Sequence, residues 1–425
     1  MSSILIIADD LTGAVDTCAQ FASRGIRASV AVEAEYGAAP RQAVHSMNAG
    51  TREISLAEAR QKHFSIGRQI RPGTHGVIVK KTDMGFRGNH GGELEGLLEG
   101  LGAEVCYLVN AIPDHYASVV NACQYVKGKP LPESMYAQDP SRKPTTAFIP
   151  DILRKQTSLQ IGTIQLEDVR GPNLKGRITA LKDAHCRILV FDAVTAQDCL
   201  TIVKAACSLP YTSCFAGTLG IMNALSQYFF PDCLVQNPCT ADPPPRCLGF
   251  TTSNYDTVQQ QLQYAKERGL AQVMLRMDDC LRNDESLEAE LERVRGACRK
   301  LLREQSVIVT QRLLYPPEDP NLSGRILAAM ANCAERLCAD CRFSRLVMIG
   351  GETSHAILNA IGARNLSITA MPETGVALGR IKDGRLSGYS FAAKGGSVGT
   401  VQAVWRMLVT ADSERAEHFP GSAGL

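Results

Sequence analysis

Short apolar runs alternate along this chain with segments in which apolar residues recur at the spacing of one helix face. The first run, residues 4–8, stops at Asp9 and Asp10, and a helical pattern follows over residues 14–22. Residues 26–32 are again largely apolar, so the opening predicts a βαβ unit with a right-handed crossover. Such units bind ligands outside the carboxyl ends of their strands, which is where we expect both aspartates to lie.

The same alternation is found on both sides of a proline cluster. Prolines concentrate without periodicity between residues 230 and 246, as is typical of a linker, and a strand pattern resumes at residues 248–253. We therefore predict an α/β fold that consists of two doubly wound α/β domains with a cleft between them. The predicted domains are residues 1–237 and 238–425.

The two aspartates allow two interpretations. Two acids within a strand would be costly to bury, but at a strand end Asp9 and Asp10 can meet water, a metal or a substrate hydroxyl. An aspartate ahead of a helix also commonly accepts hydrogen bonds from the free N–H groups of the first turn. Two consecutive acids are more than one cap needs. The sequence leaves both interpretations open at this point.

Polar residues also follow two later strand patterns, at residues 43–47 and 76–79. Arginine offers a planar fork that matches a carboxylate in a bidentate way. We therefore predict a site for an anion that carries hydroxyl groups, because cations, an acid and an amide lie together close to these strand ends. The residues concerned are Arg52, Lys81, Asp83, Arg87 and Asn89. For Arg52, an ordinary solvated loop arginine is the alternative.

Two glycine-rich turns in the second half are candidate phosphate cradles. A strand pattern enters Gly350 and Gly351, and we predict that a helix begins at Thr353 or Ser354. N–H groups at such a turn point at anions, and the helix dipole favours negative charge. The second turn places two glycines after Lys394 and ahead of a predicted helix over residues 400–408. A tight turn with an ordinary threonine cap is the alternative, and the chain contains no P-loop motif.

The composition excludes several classes of protein. Hydrophobic residues make up 45% of the 425 residues and charged residues 21%, as in a packed globular protein. The formal net charge is +2 without a strongly basic half, which argues against nucleic acid as a partner. No apolar run approaches the roughly 18 residues of a membrane span. The opening residues lack the pattern of a signal peptide, so we expect a cytoplasmic protein.

In that compartment the 15 cysteines would be mostly reduced. Cys338 and Cys341 form a C-x-x-C motif with Cys333 upstream, but no second pair stands at a matching spacing for zinc. The motif falls in a helical pattern. We therefore predict buried thiols rather than metal ligands.

Several motifs, taken in order, resemble one known family. Residues 8–14, followed by residues 16–17 and 20–22, are similar to the opening signature of the four-carbon acid sugar kinases, which are ATP-dependent kinases of tetronate-type acids. Residues 80–89, with Glu93 as the following acid, resemble the family signature Lys-Lys-x-Asp-Ser-x-x-Arg-Gly-Asn. Residues 214–220 resemble the family's strand followed by Gly-Ser-x-Gly, and residues 350–353 resemble Gly-Gly-Asp/Glu-Thr. Further on, residues 372–379 resemble Pro-Gly-Val-Pro, and residues 394–399 resemble Lys-x-Gly-x-Phe-Gly.

Three stretches depart from the family pattern. Met84-Gly85-Phe86 stands where the family typically has Ser-Thr-Leu or similar, and His115-Tyr116-Ala117 lacks the arginine of the family hairpin. Residues 251–254 stand where the family favours Gly-Ser-x-Ser. Two of these departures lie on the side of the sugar acid and one lies on the side of the nucleotide.

The resemblance implies an N-terminal domain that holds the sugar acid and a C-terminal domain that holds ATP. The γ-phosphoryl group would pass to a hydroxyl of a threonate, erythronate, 3-oxo-tetronate or branched relative. Asp10 or Asp9 would orient or deprotonate that hydroxyl, and the other would assist Mg²⁺. The carboxylate and hydroxyls of the acid would be held by Arg52, Lys81, Asp83, Arg87 and Asn89. The nucleotide would be held by Thr252, Ser253, Gly350, Gly351, Glu352, Thr353, Lys394, Gly395 and Gly396.

Two other classes of function remain open. A non-catalytic sensor of sugar acids would share the two-domain form and would bind its ligand without ATP turnover. A hydroxy-acid dehydrogenase would need Gly-x-Gly-x-x-Gly after a strand, and no such motif stands there. We expect a sugar acid and ATP as partners, and neither nucleic acid nor a membrane. A homo-oligomer is left open.

Overall fold

The structure, a computed structural model, describes residues 3–34, 43–71, 75–113, 117–138, 143–233, 246–315, 318–319 and 321–411. The chain divides into two compact units, Met1–Leu234 and Val235–Leu425. Both units are α/β, which confirms the predicted class. The predicted boundary at residues 237 and 238, His115 with Tyr116, and the residues from 412 onwards lie outside the described part of the chain.

The first unit is built on a parallel sheet and also contains a short antiparallel sheet. Its strands are β1 (Ile4–Ala8), β2 (Ala28–Ala31), β3 (Val44–Asn48), β4 (Val77–Lys81), β5 (Val105–Val109), β6 (Ala117–Val120), β7 (Cys123–Val126), β8 (Lys129–Pro130), β9 (Ile161–Ile164), β10 (Ile188–Phe191) and β11 (Ser213–Gly217). The parallel strands lie in the order β2-β3-β1-β4-β11-β5-β10-β9, and β6-β7-β8 are antiparallel.

The helices of this unit have clear local start and stop signals. They are α1 (Leu11–Ala22), α2 (Leu56–Gln69), α3 (His90–Leu101), α4 (Ile149–Arg154), α5 (Leu166–Arg170), α6 (Leu174–Asp183), α7 (Ala196–Cys207) and α8 (Leu219–Phe229). A capping box starts α2, because the side chain of Ser55 accepts from the N–H of Glu58 while the Glu58 side chain accepts from the N–H of Ser55. Gly102, at a left-handed φ of 62°, ends α3.

Strand β1 is the topological switch point of the first sheet. It pairs in parallel with β3 on one side and β4 on the other. The chain therefore fills one side of the sheet with β2 and β3 before it crosses to β4 and the remaining strands. Every residue of β1 is buried, so the strand is a central element of the core. Asp9 and Asp10 emerge where the order reverses, which is where open α/β sheets bind ligands.

The second unit begins with the same strand order. Its strands are β12 (Cys247–Thr251), β13 (Ala271–Arg276), β14 (Val307–Arg312), β15 (Arg345–Ile349), β16 (Asn365–Glu373), β17 (Val376–Ile381) and β18 (Ser390–Lys394). They lie in the order β13-β14-β12-β15-β18-β17-β16. The first four strands in chain order thus repeat the arrangement of β1 to β4, and β12 is the switch point. Strand β17 is antiparallel to β16 and to β18.

Helices cover this second sheet. They are α9 (Asp256–Lys266), α10 (Met277–Cys280), α11 (Asp284–Leu301), α12 (Leu322–Asp340), α13 (Gly351–Ala360) and α14 (Ala403–Val409). Val404 and Met407 of α14 are buried in one core cluster with Val347 and Ile349 of β15. This packing fixes the position of the helix that follows β18.

Two predicted helix starts are wrong. Helix α13 begins at Gly351 rather than at Thr353 or Ser354, because Gly350 takes a φ of 106° and turns the chain directly from β15 into the helix. Helix α14 begins at Ala403 rather than at Thr400, because the N–H and the hydroxyl of Thr400 bond to Glu373 and residues 401–402 form a turn ahead of the helix. The predicted helical pattern ahead of Ala403 is therefore a loop.

The cysteines of the C-x-x-C motif are buried thiols, as predicted. Cys333 and Cys338 lie on α12, and Cys341 follows it. Burial raises the pKa of Cys338 to about 12, so this thiol stays protonated at neutral pH. Within the described ranges, no group of three or more His, Cys, Asp or Glu residues could hold a metal ion. Over the same ranges, no helix has the length and apolar character needed to span a membrane.

Candidate functional site

Three neighbouring strand ends of the first unit bring the predicted acid-sugar residues together. Ala8 of β1 is paired with Asn48 of β3 and with Lys81 of β4. Asp9 follows β1, and Arg52 lies just beyond β3. Residues that are distant in sequence therefore meet at one edge of the sheet, on both sides of the switch point.

The guanidinium group of Arg52 joins the two aspartates. Its Nε donates to Asp9 Oδ2 at 2.7 Å, and its Nη1 donates to Asp10 Oδ2 at 2.6 Å. Its Nη2 lies 3.8 Å from Asp83 Oδ1. Burial opposes the charge of Arg52, but the three carboxylates outweigh burial and raise its pKa further. The solvated-loop interpretation of Arg52 is therefore wrong.

Asp10 caps helix α1, as one of the two interpretations predicted, and it is also paired with Arg52. Its Oδ1 accepts from the N–H of Gly13 at 2.8 Å and caps α1, while its Oδ2 is paired with Arg52. Gly13 permits this approach, since a Cβ there would lie 2.8 Å from Asp10 Oδ1 and 3.4 Å from Lys81 Cγ. The Asp10 side chain is 22% exposed, whereas that of Asp9 is fully buried. Asp10 is therefore the member of the pair that a substrate can reach.

Asp9 remains ionised in spite of its burial. Burial raises the pKa of this carboxyl, but the positive charges of Arg52 and Lys80 outweigh burial and hold the pKa below its ordinary value. Its Oδ2 pairs with Arg52, and its buried Oδ1 has no hydrogen-bond partner. A buried carboxylate oxygen without a donor is costly, and it is an acceptor for a ligand or a cation.

Asp83 and Arg87 form a bidentate ion pair. Arg87 Nε and Nη2 donate to Asp83 Oδ2 and Oδ1 at 3.0 and 2.8 Å. Burial raises the pKa of Asp83, but Arg87 and Arg52 outweigh burial and hold it well below its usual range. The ring of Tyr136 lies 5.2 Å from the Arg87 guanidinium and also covers Gly85, where a Cβ would fall 2.4 Å from the ring. The family typically has a residue with a side chain at position 85, and the glycine found here leaves space for the Tyr136 ring.

Two of the predicted ligand-binding side chains are directed at backbone carbonyls. Lys81 Nζ donates to Thr82 O at 2.6 Å, and burial lowers the pKa of this lysine despite the nearby aspartates. The Asn89 amide donates to Thr51 O at 3.0 Å and to Ile54 O at 2.9 Å. In this geometry Asn89 holds the loop that carries Arg52, and direct contact with a substrate stays a prediction.

A buried network next to these residues was not assigned from the sequence. Lys80 Nζ lies 2.9 Å from Glu93 Oε2, and neither side chain is exposed. Glu93 Oε1 also accepts from the Thr51 hydroxyl, and its Oε2 lies 3.2 Å from His90 Nδ1. His90 Nε2 accepts from the N–H of Asp83 at 3.1 Å, so the ring proton is on Nδ1 and points at Glu93. Glu93 therefore ties together the segments that carry Arg52 and Asp83.

The predicted nucleotide residues also meet at adjacent strand ends, in the second unit. Ile349 of β15 is paired with Thr251 of β12 and with Lys394 of β18. The hydroxyl oxygens of Thr252 and Thr353 lie 2.7 Å apart. The structure thus brings the end of β12 to the first turn of α13, whose leading N–H groups have no partner within the helix.

The turn after β15 requires a glycine at position 350 rather than 351. Gly350 has a φ of 106°, and its N–H donates to Lys394 O at 2.9 Å. Gly351 is the first helical residue and is not among the positive-φ glycines. Glu352 lies in the first turn of the same helix, where an acid interacts favourably with the helix dipole. That dipole interaction is a structural explanation for Glu352 beside the predicted contact with a nucleotide.

The second glycine turn lies against the end of β12. Lys394 is 2% exposed, and its Nζ donates to Gly395 O at 2.7 Å. A Cβ on Gly396 would lie 3.0 Å from Ser253 Oγ and 3.0 Å from Tyr255 Cδ2. The backbone at Gly396 therefore approaches Ser253 more closely than an ordinary side chain permits.

Two family models match the chain. The "Sugar-binding N-terminal domain" matches residues 4–225, and the "Nucleotide-binding C-terminal domain" matches residues 252–404. The first match contains the cluster around Asp10 and Arg52. The second contains the turns at Gly350 and Lys394.

Curated relatives resemble the chain over almost its whole length. A D-threonate kinase of Salmonella typhimurium is 25% identical over 93% of this chain and 95% of the relative. A D-erythronate kinase of Heliobacterium modesticaldum is 26% identical over 95% of each chain. The solved structure of a Salmonella typhimurium protein superposes with a TM-score of 0.80 at 19% identity, covering 96% of this chain and 98% of the solved chain, which shows a common fold.

The two model matches occur in the order that the sequence motifs predict, and the first alone covers more than half of the 425 residues. Neither a sensor nor a dehydrogenase is favoured by the relatives, whose names are those of sugar-acid kinases. The chain therefore belongs to the four-carbon acid sugar kinase family.

Proposed function

We propose that this chain transfers the γ-phosphoryl group of ATP to a hydroxyl of a four-carbon sugar acid. We assign the acid to residues 1–237 and the nucleotide to residues 238–425. The observation that carries the proposal is Asp10, a partly exposed carboxylate held by Arg52 at the switch point of a sugar-binding domain. ATP as the donor supports a cytoplasmic location.

Asp10 is assigned as the group that accepts the proton. The hydroxyl oxygen of the acid bonds to the γ-phosphorus, the bond from that phosphorus to the β–γ bridging oxygen breaks, and ADP leaves. The hydroxyl proton passes to Asp10. The N–H of Gly13 and Arg52 hold this carboxylate in one orientation before the substrate arrives. Phosphoryl transfer depends mainly on such positioning and on charge neutralisation.

Arg52 and Arg87 are assigned to the carboxylate of the sugar acid. Each guanidinium already binds one or more aspartates of the cluster, so a substrate carboxylate competes with those aspartates for the same N–H groups. Lys81, buried beside the aspartates, supplies a third positive charge. Asp83 orients Arg87, and Asn89 orients the loop of Arg52. The charges of the cluster balance, because its three acids are matched by three cations. The acids are Asp9, Asp10 and Asp83, and the cations are Arg52, Lys81 and Arg87. An incoming carboxylate therefore adds net negative charge.

The net negative charge added by the substrate carboxylate favours the binding of a divalent cation that arrives with the nucleotide. Mg²⁺ commonly binds through one or two carboxylates together with phosphate oxygens, so it does not need a cage of protein ligands. The buried Oδ1 of Asp9, which has no hydrogen-bond partner, fits such a role. When bound, Mg²⁺ would neutralise charge on the transferring phosphoryl group.

The nucleotide phosphates are assigned to the N terminus of α13 and to the turn after Lys394. Hydroxyl groups beside these two turns come from Thr252, Ser253 and Thr353. The absence of side chains lets phosphate approach the backbone N–H groups at Gly350, Gly395 and Gly396. Lys394 supplies positive charge. Backbone N–H groups and a lysine are the usual means of holding phosphate without a metal cage.

The substrate class follows the names of the relatives, which are kinases of D-threonate, D-erythronate and 3-oxo-tetronate. The test is ADP release by the full chain with ATP and each of these acids in turn, together with a branched four-carbon acid. We expect at least one acid to give ADP release well above the rate without acid. Binding of an acid without ADP release would favour a sensor instead. Equal ADP release with and without every acid would contradict the assignment of the acceptor.

A further inference from the structure

The loop that joins β18 to α14 is held in place by side chains that lie outside it. This loop, residues 395–402, is called the glycine loop below. Its first residues approach Ser253, and its last residues lead into α14. Two side chains from other elements, Gln261 and Glu373, bond to the loop at residues 398–400. Neither residue belongs to the set predicted to touch the nucleotide.

Gln261 reaches the glycine loop from α9 and is fully buried. Its Nε2 lies 3.1, 3.3 and 2.9 Å from the carbonyl oxygens of Val398, Gly399 and Thr400. An amide has two N–H donors, so these three carbonyls share them. The opposite orientation of the amide would direct its oxygen at three other oxygens. The contact therefore fixes both the amide and the path of the loop.

Stability alone does not explain a glutamine at this position. The Oε1 atom of Gln261 is buried and has no hydrogen-bond partner. Such an atom loses its bonds to water without replacement, and a buried residue of similar size without polar atoms would avoid that cost. What the glutamine adds, and an apolar residue would not, is the set of bonds to the glycine loop.

Glu373 holds the same part of the loop from the end of β16. Its Oε1 accepts from the N–H of Thr400 at 2.7 Å, and its Oε2 accepts from the Thr400 hydroxyl at 3.0 Å. Arg406 of α14 donates to the same Oε2 at 2.8 Å. One carboxylate thus joins the glycine loop to the helix that follows it.

The turn that follows Glu373 also packs on the glycine loop. Gly375, at a φ of 83°, lies so close to the loop that a Cβ there would fall 2.9 Å from Val398 Cγ2. Val376, the next residue, is paired with Lys394 across β17 and β18. The hairpin of β16 and β17 therefore contacts the loop at Val398 and the strand at Lys394.

We propose that Gln261 and Glu373 are positioning residues of the nucleotide site. They hold the glycine loop at residues 398–400, so that the N–H groups of Gly395 and Gly396 stay in place to meet phosphate oxygens. Donors that are in place before the ligand arrives do not have to be ordered during binding or reaction. This inference rests on the proposed binding of the nucleotide phosphates at Lys394, Gly395 and Gly396.

The test compares Gln261→Leu and Glu373→Gln with the full wild-type chain. The matched control is Gln263→Leu, because Gln263 is an exposed glutamine on the same helix and its amide bonds to Glu267 instead. Calorimetry measures affinity for a non-hydrolysable ATP analogue and for the sugar acid, and amide hydrogen exchange is followed at residues 395–402. We expect Gln261→Leu to weaken the analogue about tenfold, a factor that corresponds to about 1.4 kcal/mol. Exchange in the loop should rise, with acid affinity and melting temperature unchanged.

A conservative series at Glu373 separates positioning from general damage. In Glu373→Gln the amide oxygen can still accept from the N–H of Thr400, so affinity for the analogue should fall less than in Glu373→Ala. Gln263→Leu should match the wild type. Unchanged affinity and loop exchange in both Gln261→Leu and Glu373→Ala would overturn the inference, as would equal losses of analogue and acid affinity. If the wild-type chain itself does not bind the analogue, the proposed function is wrong, and the inference fails with it.

Discussion

Lys80 and Glu93 form an ion pair from which water is excluded, with Nζ 2.9 Å from Oε2 and no exposure of either side chain. Glu93 also accepts from Thr51 and pairs with His90. The pair therefore links β4 and α3 to the loop that carries Arg52. A buried pair adds little to stability over an apolar substitute, but loss of one partner leaves a buried charge without compensation.

We predict that Glu93→Gln lowers the free energy of unfolding by about 3–5 kcal/mol, because it strands the Lys80 charge. The double variant Lys80→Met with Glu93→Leu should recover much of that loss, since it removes both charges. Asp151→Asn is the matched control, because its partner Arg154 forms an exposed pair, with side chains 55% and 53% exposed. Such pairs contribute about 0–1 kcal/mol. Urea unfolding measures all three; a loss in Glu93→Gln no larger than in Asp151→Asn would contradict the prediction.

Acid pH should destabilise the chain by protonating the carboxylate of Glu93. The charge of Lys80 outweighs burial and holds the pKa of Glu93 well below its ordinary value of 4.5. A group whose pKa is lower in the folded state contributes its full stability above the ordinary pKa and loses it as pH falls towards the folded pKa. We therefore expect the free energy of unfolding to fall steadily below about pH 5.

The slope of that decline should be smaller in the double variant Lys80→Met with Glu93→Leu, which has no ionisable group at the pair. The measurement is urea unfolding at a series of pH values, with the wild type and the double variant compared at each. Identical slopes would mean that Glu93 takes up no more protons in the unfolded chain than in the folded chain, contrary to its lowered pKa.

The sequence predicted the polar strand ends because each apolar run stops in charged or hydroxyl residues, as at Asp9 and Lys81. It did not predict the role of Lys80. Successive residues of a strand point to opposite faces, but the sequence does not say what each face of β4 contacts. Only the tertiary contact with Glu93 shows that Lys80 is buried in an ion pair. The motif His90-x-x-Glu93 places both side chains on one helix face and is the one local signal of that network. Strands β6 to β8 could not be predicted from apolar periodicity, because they have only four, four and two residues.

Asp10→Asn should lower kcat by about 10²–10⁴-fold, the usual effect of losing a general base. The cap of α1 should survive, because asparagine caps helices as well as aspartate and can still accept from the N–H of Gly13. The melting temperature should fall only modestly, because the amide loses the pair with Arg52 while Asp9 still binds that guanidinium group. Asp10→Ser is a second test, since serine also caps but carries no charge. Turnover close to that of the wild type in either variant would leave Asp10 with the capping role alone.

A side chain at position 85 should be incompatible with Tyr136. A Cβ on Gly85 would lie 2.4 Å from the Tyr136 ring, so Gly85→Ser should lower the free energy of unfolding by about 1–3 kcal/mol. Adding Tyr136→Ala should recover part of that loss by opening space. A double-mutant cycle from chemical unfolding measures the coupling. Additive effects of the two changes would show that the ring and residue 85 do not compete for space.

Gly350→Ala should weaken nucleotide binding and spare acid binding. Its φ of 106° is unfavourable for any residue with a Cβ, and an added Cβ would lie 3.2 Å from Thr353 Oγ1. The matched control is Gly296→Ala on α11, where an added Cβ would meet no atom within 4 Å apart from the nearby backbone of its own helix. Calorimetry with a non-hydrolysable ATP analogue should detect at least about a tenfold loss, or 1.4 kcal/mol, for Gly350→Ala and none for Gly296→Ala. Equal affinities in the two variants would contradict the phosphate assignment at this turn.

Product analysis measures phosphoryl transfer to a sugar acid most directly. The full chain is incubated with ATP labelled at the γ-phosphate and with one four-carbon sugar acid at a time, and the products are separated and identified by mass spectrometry. We predict that label leaves ATP and appears in a phosphate ester of at least one acid, in amounts equal to the ADP formed, and that Asp10→Asn slows this transfer by about 10²–10⁴-fold. Label that appears only as inorganic phosphate, or that stays in ATP with every acid, would contradict the assignment of the chain as a sugar-acid kinase.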